Sequence, residues 1–206
     1  MVGYLILGIT YAFAAAVQPG PFQTYLISQT LLNGWKSTIP AAFAPLLSDG
    51  PIILFVLLIL SQMPVWLVQA LQYAGGIFLL YLALEAFKTW RNYQVENAFQ
   101  NRTGQQTVIK GALVNFLNPN PWLAWSLVMG PLLLKGWRET PINGISLLAG
   151  FYITMILVTL MIMLLFSAAR NLGPRVSRVL VGISAIAMAG FGFYELWIGL
   201  KVFLHS

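Results

Sequence analysis

No charged side chain occurs before Lys36, and Asp49 alone is charged between Ser37 and Leu84. None lies between Gly111 and Leu134 or between Thr140 and Ala169. Each run exceeds the roughly 20 apolar residues that cross a bilayer's hydrocarbon. Such segments must satisfy their backbone polar groups internally, and the alternating ten-residue pattern of a membrane barrel is absent, so they read as helices. Composition agrees: 59% of the 206 residues are hydrophobic and 8% are charged, against about 25% charged in soluble domains. One soluble core of this size cannot bury that much apolar surface.

The expected fold is an all-α membrane protein of six transmembrane helices, over about 3–32, 38–61, 65–88, 108–134, 142–169 and 178–204. Asn33-Gly34, Ser61 to Pro64, Gly136 to Pro141 and Asn171 to Pro174 punctuate them. A polar stretch over 91–107 divides the single domain into a first half, 1–90, and a second half, 108–206. Ala14-Ala15-Ala16 resembles a signal-peptidase site, but no basic segment precedes it and the apolar run continues to Leu32, so the segment reads as a retained helix. Alternate loops hold eight of the eleven basic residues, leaving Lys135, Arg138 and Lys201 on the other side. The positive-inside rule then places the middle loop in the cytoplasm and both termini outside. Trp35, Trp66, Trp90 and Trp137 fall beside helix ends, where an aromatic belt sits.

The halves echo each other. Gln18-Pro19-Gly20-Pro21 and Asn118-Pro119-Asn120-Pro121 are each an amide residue followed by Pro-x-Pro, 100 positions apart. Gly76 precedes Tyr81 as Gly190 precedes Glu195, each by five residues. Three helices per half is an odd number, so the halves run in opposite directions, which is the inverted-repeat plan of secondary transporters.

Proline has no N–H and clashes with the carbonyl four residues before it. Pro19 and Pro21 therefore release the carbonyls of residues 15 and 17, and Pro119 and Pro121 those of Asn115 and Leu117. After each break a half-helix begins, at Pro21 and at Pro121. The free N–H groups of Phe22 and Gln23, with the helix dipole, suit an anionic group. One proline kink is ordinary in a membrane helix; two symmetric double-proline breaks flanked by amides point to a solute site. Asn115 and Asn118 lie one turn apart on the face of the second break. Trp122 and Trp125 either wall the same space, offering a ring to an ammonium, or pack against lipid.

Asp49 lies 13 residues from Lys36 and 13 from Gln62, or roughly 20 Å of helix from either boundary. Carboxylates at that depth cost about 2.5–3.5 kcal/mol on insertion scales and generally mark ion or proton pathways. It reads as a proton carrier or the partner of a cationic group, with Pro45 and Gly50-Pro51 making helix two irregular around it. Glu195, near the centre of helix six, is either a second coupling carboxyl or a structural hydrogen-bonding group. Glu85, three residues before Lys88, reads as part of an interface ion pair. The absence of cysteine and the single, penultimate histidine leave no thiolate or imidazole metal site, and no cofactor or resident metal is expected. The net charge of +6 follows from membrane topology and does not imply nucleic acid.

Pro19-Gly20-Pro21, Asp49, Asn118-Pro119 and six spans in about 200 residues together resemble the lysine exporter (LysE-type) family of bacterial amino-acid exporters, along the whole chain. The resemblance implies a multi-pass protein of the bacterial cytoplasmic membrane, exporting amino acids or related metabolites by an ion gradient. Three positions depart from the family pattern: Asn120 where Lys usually follows Asn-Pro, Pro40 and Pro45 in a stretch usually Gly-rich, and Gln18 where a small residue is common. They bear on the substrate more than on the fold.

The leading expectation is a secondary exporter, not an enzyme, whose two repeats rock around a mid-membrane site. Its solute-binding residues would be Gln18, Pro19, Gly20, Pro21, Phe22, Gln23, Asn115, Asn118, Pro119, Asn120 and Trp122, with Asp49 and Glu195 coupling the ion. The partners are an amino-acid-like solute and the lipid bilayer, with a homo-oligomer also compatible. The alternatives are an inorganic-cation exporter, in which Asp49 and released carbonyls coordinate the ion, and an intramembrane aspartyl enzyme pairing Asp49 with Glu195.

Overall fold

The computed structural model describes residues 1–59, 65–91, 104–170 and 173–205. Most of the expected middle loop, the Ser61 to Pro64 turn and Asn171-Leu172 lie outside them. The described residues are helical, without strands. Four helices are long and apolar enough to cross a membrane: Trp35–Leu58, Gln69–Arg91, Pro141–Ala169 and Arg175–Lys201. A bent pair, Val2–Val17 with Pro21–Asn33, makes a fifth if counted as one span.

The first span is α1 (Val2–Val17) and α2 (Pro21–Asn33), set at 63° to each other. Gln18 and Gly20 are extended between them, because Pro19 and Pro21 interrupt the ladder where expected. The two pieces meet different surroundings. α2 buries ten of its thirteen residues and α1 three of its sixteen, so α2 runs through the protein interior while α1 lies at the periphery. Gly34, with φ of 80°, ends α2, a left-handed position that glycine takes without a Cβ penalty.

Helix two departs from expectation. After the short α3 (Trp35–Thr38) comes a 3-10 segment, Ile39–Phe43, then α4 (Ala44–Ile59). The irregular turn is at Pro40, which cannot donate back into α3, and not around Asp49. Pro51 sits inside α4 and the helix continues through it. The Ser37 hydroxyl donates to Asn33 O at 2.7 Å and the Thr38 hydroxyl to Gly34 O at 2.9 Å, satisfying carbonyls at the tight entry.

α5 (Val65–Arg91) precedes a composite helix made of α6 (Gly104–Leu117), α7 (Pro119–Ala124), a π-helical segment (Trp125–Met129) and α8 (Gly130–Glu139). The wide turn has a local cause. Pro131 cannot donate to Leu127, and the preceding Gly130 N–H reaches five residues back to the carbonyl of Trp125. α9 (Pro141–Arg170) and α10 (Pro174–His205) complete the chain.

Helices meet closely where glycine removes a side chain. A Cβ on Gly8 of α1 would fall on the carbonyl of Leu147 in α9, and one on Gly150 would lie 2.6 Å from that of Leu5. α5 and α10 cross in the same way: a Cβ on Gly76 would lie 2.8 Å from Gly192 O, and one on Gly192 would lie 3.0 Å from Gly76 O. The packing partner of Gly76 is thus Gly192, whereas a Cβ on Gly190, its counterpart in the sequence echo, would meet nothing within 4 Å. Glu85 pairs with Lys110 of α6 at 2.9 Å, tying α5 to α6 across the two halves. Leu54, Leu58, Ile153, Leu157, Leu164, Ile186 and Phe193 are each more than half exposed, an apolar exterior suited to lipid.

Candidate functional site

Each proline break leaves carbonyls that must find new donors. At the first, Pro19 cannot serve Ala15 O. The Gln23 side chain, one turn into α2, donates to it instead through Nε2 at 3.2 Å. Thr24 N–H makes the first backbone bond of α2, to Gly20 O at 2.9 Å. Pro21 has no N–H, and those of Phe22 and Gln23 precede any intrahelical acceptor.

The second break is resolved differently. Asn118 is extended and caps α7, its Oδ1 accepting from the N–H of Asn120 at 3.0 Å. The half-helix starts at Pro119, two residues before Pro121. Of its first three residues two are prolines and the third is already bonded, so this end presents no free N–H group there. The indole of Trp122 turns back to donate to Phe116 O at 2.7 Å, with Phe55 and Phe116 edge-on to its ring at 5.5 and 5.3 Å.

Asp49 sits on α4 beside the second break and is 3% exposed. Asn115 Nδ2 donates to its Oδ1 at 2.9 Å and lies 2.8 Å from the Ser48 hydroxyl. The Tyr152 hydroxyl of α9 donates to Oδ2 at 3.4 Å. α4, α6 and α9 therefore converge on one buried acidic group.

A cleft of about 850 Å³ connects these features. Gln18 to Gln23 line it, as do Asn115, Asn118, Pro119, Asn120, Asp49 and Glu195. Of the site residues expected from the sequence, only Trp122 is not on its wall; its indole is committed to the carbonyl of Phe116. Trp125 lines the cleft instead, with Tyr11 and Phe151. Two polar contributors were not foreseen. Tyr152 reaches Asp49, and Gln72 of α5 lines the cleft. Nothing distinguishes Tyr152 in its apolar run, whereas Gln72 could have been found as an amide well inside a span. No wall residue comes from 24–44, 73–114 or 156–190. The space therefore occupies the half of the bundle toward the start of α1 and the end of α10.

Carbonyls, two carboxyls and one free helix start around a partly open cleft can hold a small polar solute bearing both a donor and an anionic group. They offer no nucleophile with an activating base.

The chain resembles a curated protein of Bacillus subtilis (strain 168), named "Putative amino acid efflux protein YcgF", at 26% identity over 98% of each chain. No solved structure matches it significantly. The family model for "LysE type translocator" matches residues 13–198, which takes in both breaks, Asp49 and Glu195. The chain belongs to the LysE type translocator family: it is a membrane transporter and not an enzyme.

Proposed function

We propose that the protein is a secondary active exporter of amino acids or related small polar metabolites, driven by a proton gradient. The observation that carries this reading is the convergence of both breaks and the buried Asp49 on a single cleft. The name of the Bacillus subtilis relative, an amino acid efflux protein, supports the direction and the solute class. The solute carboxylate lies at the start of α2, against the N–H groups of Phe22 and Gln23. Its ammonium, or the driving proton, is held at Asp49, with Glu195 as a second carboxyl on the path. Gln18, Asn115, Asn118 and Asn120 give the solute polar contacts between them.

In this reading α6 through α8 form a sixth span, and the single domain comprises repeats 1–90 and 108–206 joined by a cytoplasmic loop, 91–107. The packing supports opposed repeats: α1 lies on α9, α6 lies on α4, and α5 and α10 cross glycine to glycine. Those are the pairings that exchanging helices one, two and three for four, five and six would reproduce. With the basic loops inside, both termini are outside a bacterial inner membrane and the cleft faces outward.

The test is efflux from proteoliposomes loaded with radiolabelled amino acids, with and without an imposed proton gradient. Gradient-dependent efflux by wild type that Asp49→Asn abolishes supports the reading; unaltered efflux by that variant removes Asp49 from coupling. Failure of wild type to move any amino acid overturns the function.

A further inference from the structure

The two carboxyls of the cleft differ in what already holds them. Asp49 is 3% exposed and each of its oxygens accepts a bond, Oδ1 from Asn115 and Oδ2 from Tyr152. Glu195 is 7% exposed and has no hydrogen bond or ion pair with any described residue. Its oxygens are nonetheless not sealed in the packing, as the Gln72 amide oxygen is, and it lines the cleft. A carboxylate taken out of water without a partner is costly, and one kept at membrane depth generally serves an ion or a solute. No Lys, Arg or His is among the lining residues. Lys201, the next cation along α10, lies over the Trp197 ring at 5.4 Å. A cation for Glu195 therefore arrives through the cleft.

α10 brings Phe191, Tyr194, Glu195 and Ile198 to the cleft, a spacing of three and four residues that makes one helix face. α10 and α2 pack against each other in antiparallel register. Leu31 and Leu32 share one apolar cluster with Val181. Phe22, at the start of α2, shares another with Met188, and Phe191 packs against it. Position along α10 thus rises as position along α2 falls, and Glu195 comes one turn beyond Phe191, past the point where α2 begins. There the chain is broken, and the N–H groups of Phe22 and Gln23 precede any intrahelical acceptor. A positive helix start and a free carboxyl therefore border the same cleft, one from α2 and one from α10.

Resting on the exporter reading above, we infer that Glu195 binds the ammonium of the solute while the start of α2 binds its carboxylate, which leaves Asp49 for the driving proton. The two poles suit a single zwitterion. A carboxylic acid without the ammonium leaves Glu195 unpaired and brings a second negative charge into a space with no basic residue. No charge on the solute's side chain is required. The site therefore reads the amino-acid backbone itself, and separates amino acids from hydroxy and keto acids of the same carbon skeleton.

The experiment is counterflow in proteoliposomes of the full chain, without an imposed gradient. The labelled probe is whichever of the protein amino acids wild type exchanges fastest. Its competitors are the same amino acid unlabelled and its 2-hydroxy analogue, in which a hydroxyl replaces the ammonium. The ratio of the two competitors' potencies is read within one preparation and does not depend on the folded fraction. Wild type favours the amino acid by about tenfold or more, as a charge-assisted hydrogen bond predicts. Glu195→Gln, of the same size, loses most of that preference, and Glu195→Asp retains more of it than Glu195→Gln does. Equal recognition of both competitors by wild type, or an unchanged ratio in Glu195→Gln, overturns the role of Glu195 and leaves the exporter reading intact. A ratio lost in Asp49→Asn but kept in Glu195→Gln overturns it too, by moving the ammonium to Asp49. Failure of wild type to exchange any amino acid overturns the exporter reading and this inference with it.

Discussion

The two Pro-x-Pro breaks share their punctuation 100 positions apart, yet their chemistry diverges within four residues. At the first, Gly20 and Gln23 leave an open bend of 63°, and the two helix-start N–H groups belong to residues that line the cleft. At the second, Asn120 and Leu123 stand in their places. The Asn118 cap and the Trp122 indole satisfy the backbone locally, and Asn115 binds the segment to Asp49 on α4. The first break offers unsatisfied groups to a visitor; the second spends its own on holding shape. On the exporter reading proposed above, the substitutions that set the two breaks apart divide recognition from anchoring.

That division can be broken by experiment. The largest effect is expected where anchoring meets chemistry: Asp49→Asn should lower gradient-driven transport on the order of tenfold or more, measured in proteoliposomes. Trp122→Phe keeps a ring against Phe55 and orphans Phe116 O, so detergent-phase unfolding should show about 1–3 kcal/mol of lost stability. Asn118→Ala removes the cap and should cost about 1 kcal/mol in the same assay. Gln23→Leu should cost less than either, under about 1 kcal/mol, since the cleft lets water reach Ala15 O in place of the amide. If Gln23→Leu proved the most destabilising of the three, the assignment of recognition to the first break and anchoring to the second would be reversed.

Much of this was legible in the chain because proline and charge speak locally. The charge-free runs gave the helices, Pro19 and Pro119 located the bends, and the depth of Asp49 marked it as costly. What was not legible depended on partners distant in sequence. That α4 continues through Pro51 while the chain turns irregular at Pro40 could not be read from the two prolines alone. Trp122 and Trp125 are equivalent on paper; only the position of the carbonyl of Phe116 turns one away from the cleft.

The glycine crossings carry a mechanical consequence. α1 is welded to α9 through Gly8 and Gly150, and α5 to α10 through Gly76 and Gly192, so each weld joins a helix of the first half to one of the second. Sliding either apart would uncover backbone oxygens that the missing side chains now let the partner helix cover. Each close-packed pair thus takes one helix from either half of the chain. In the exporter proposed above, closure of the cleft would run between one close-packed pair and the other, leaving both crossings intact.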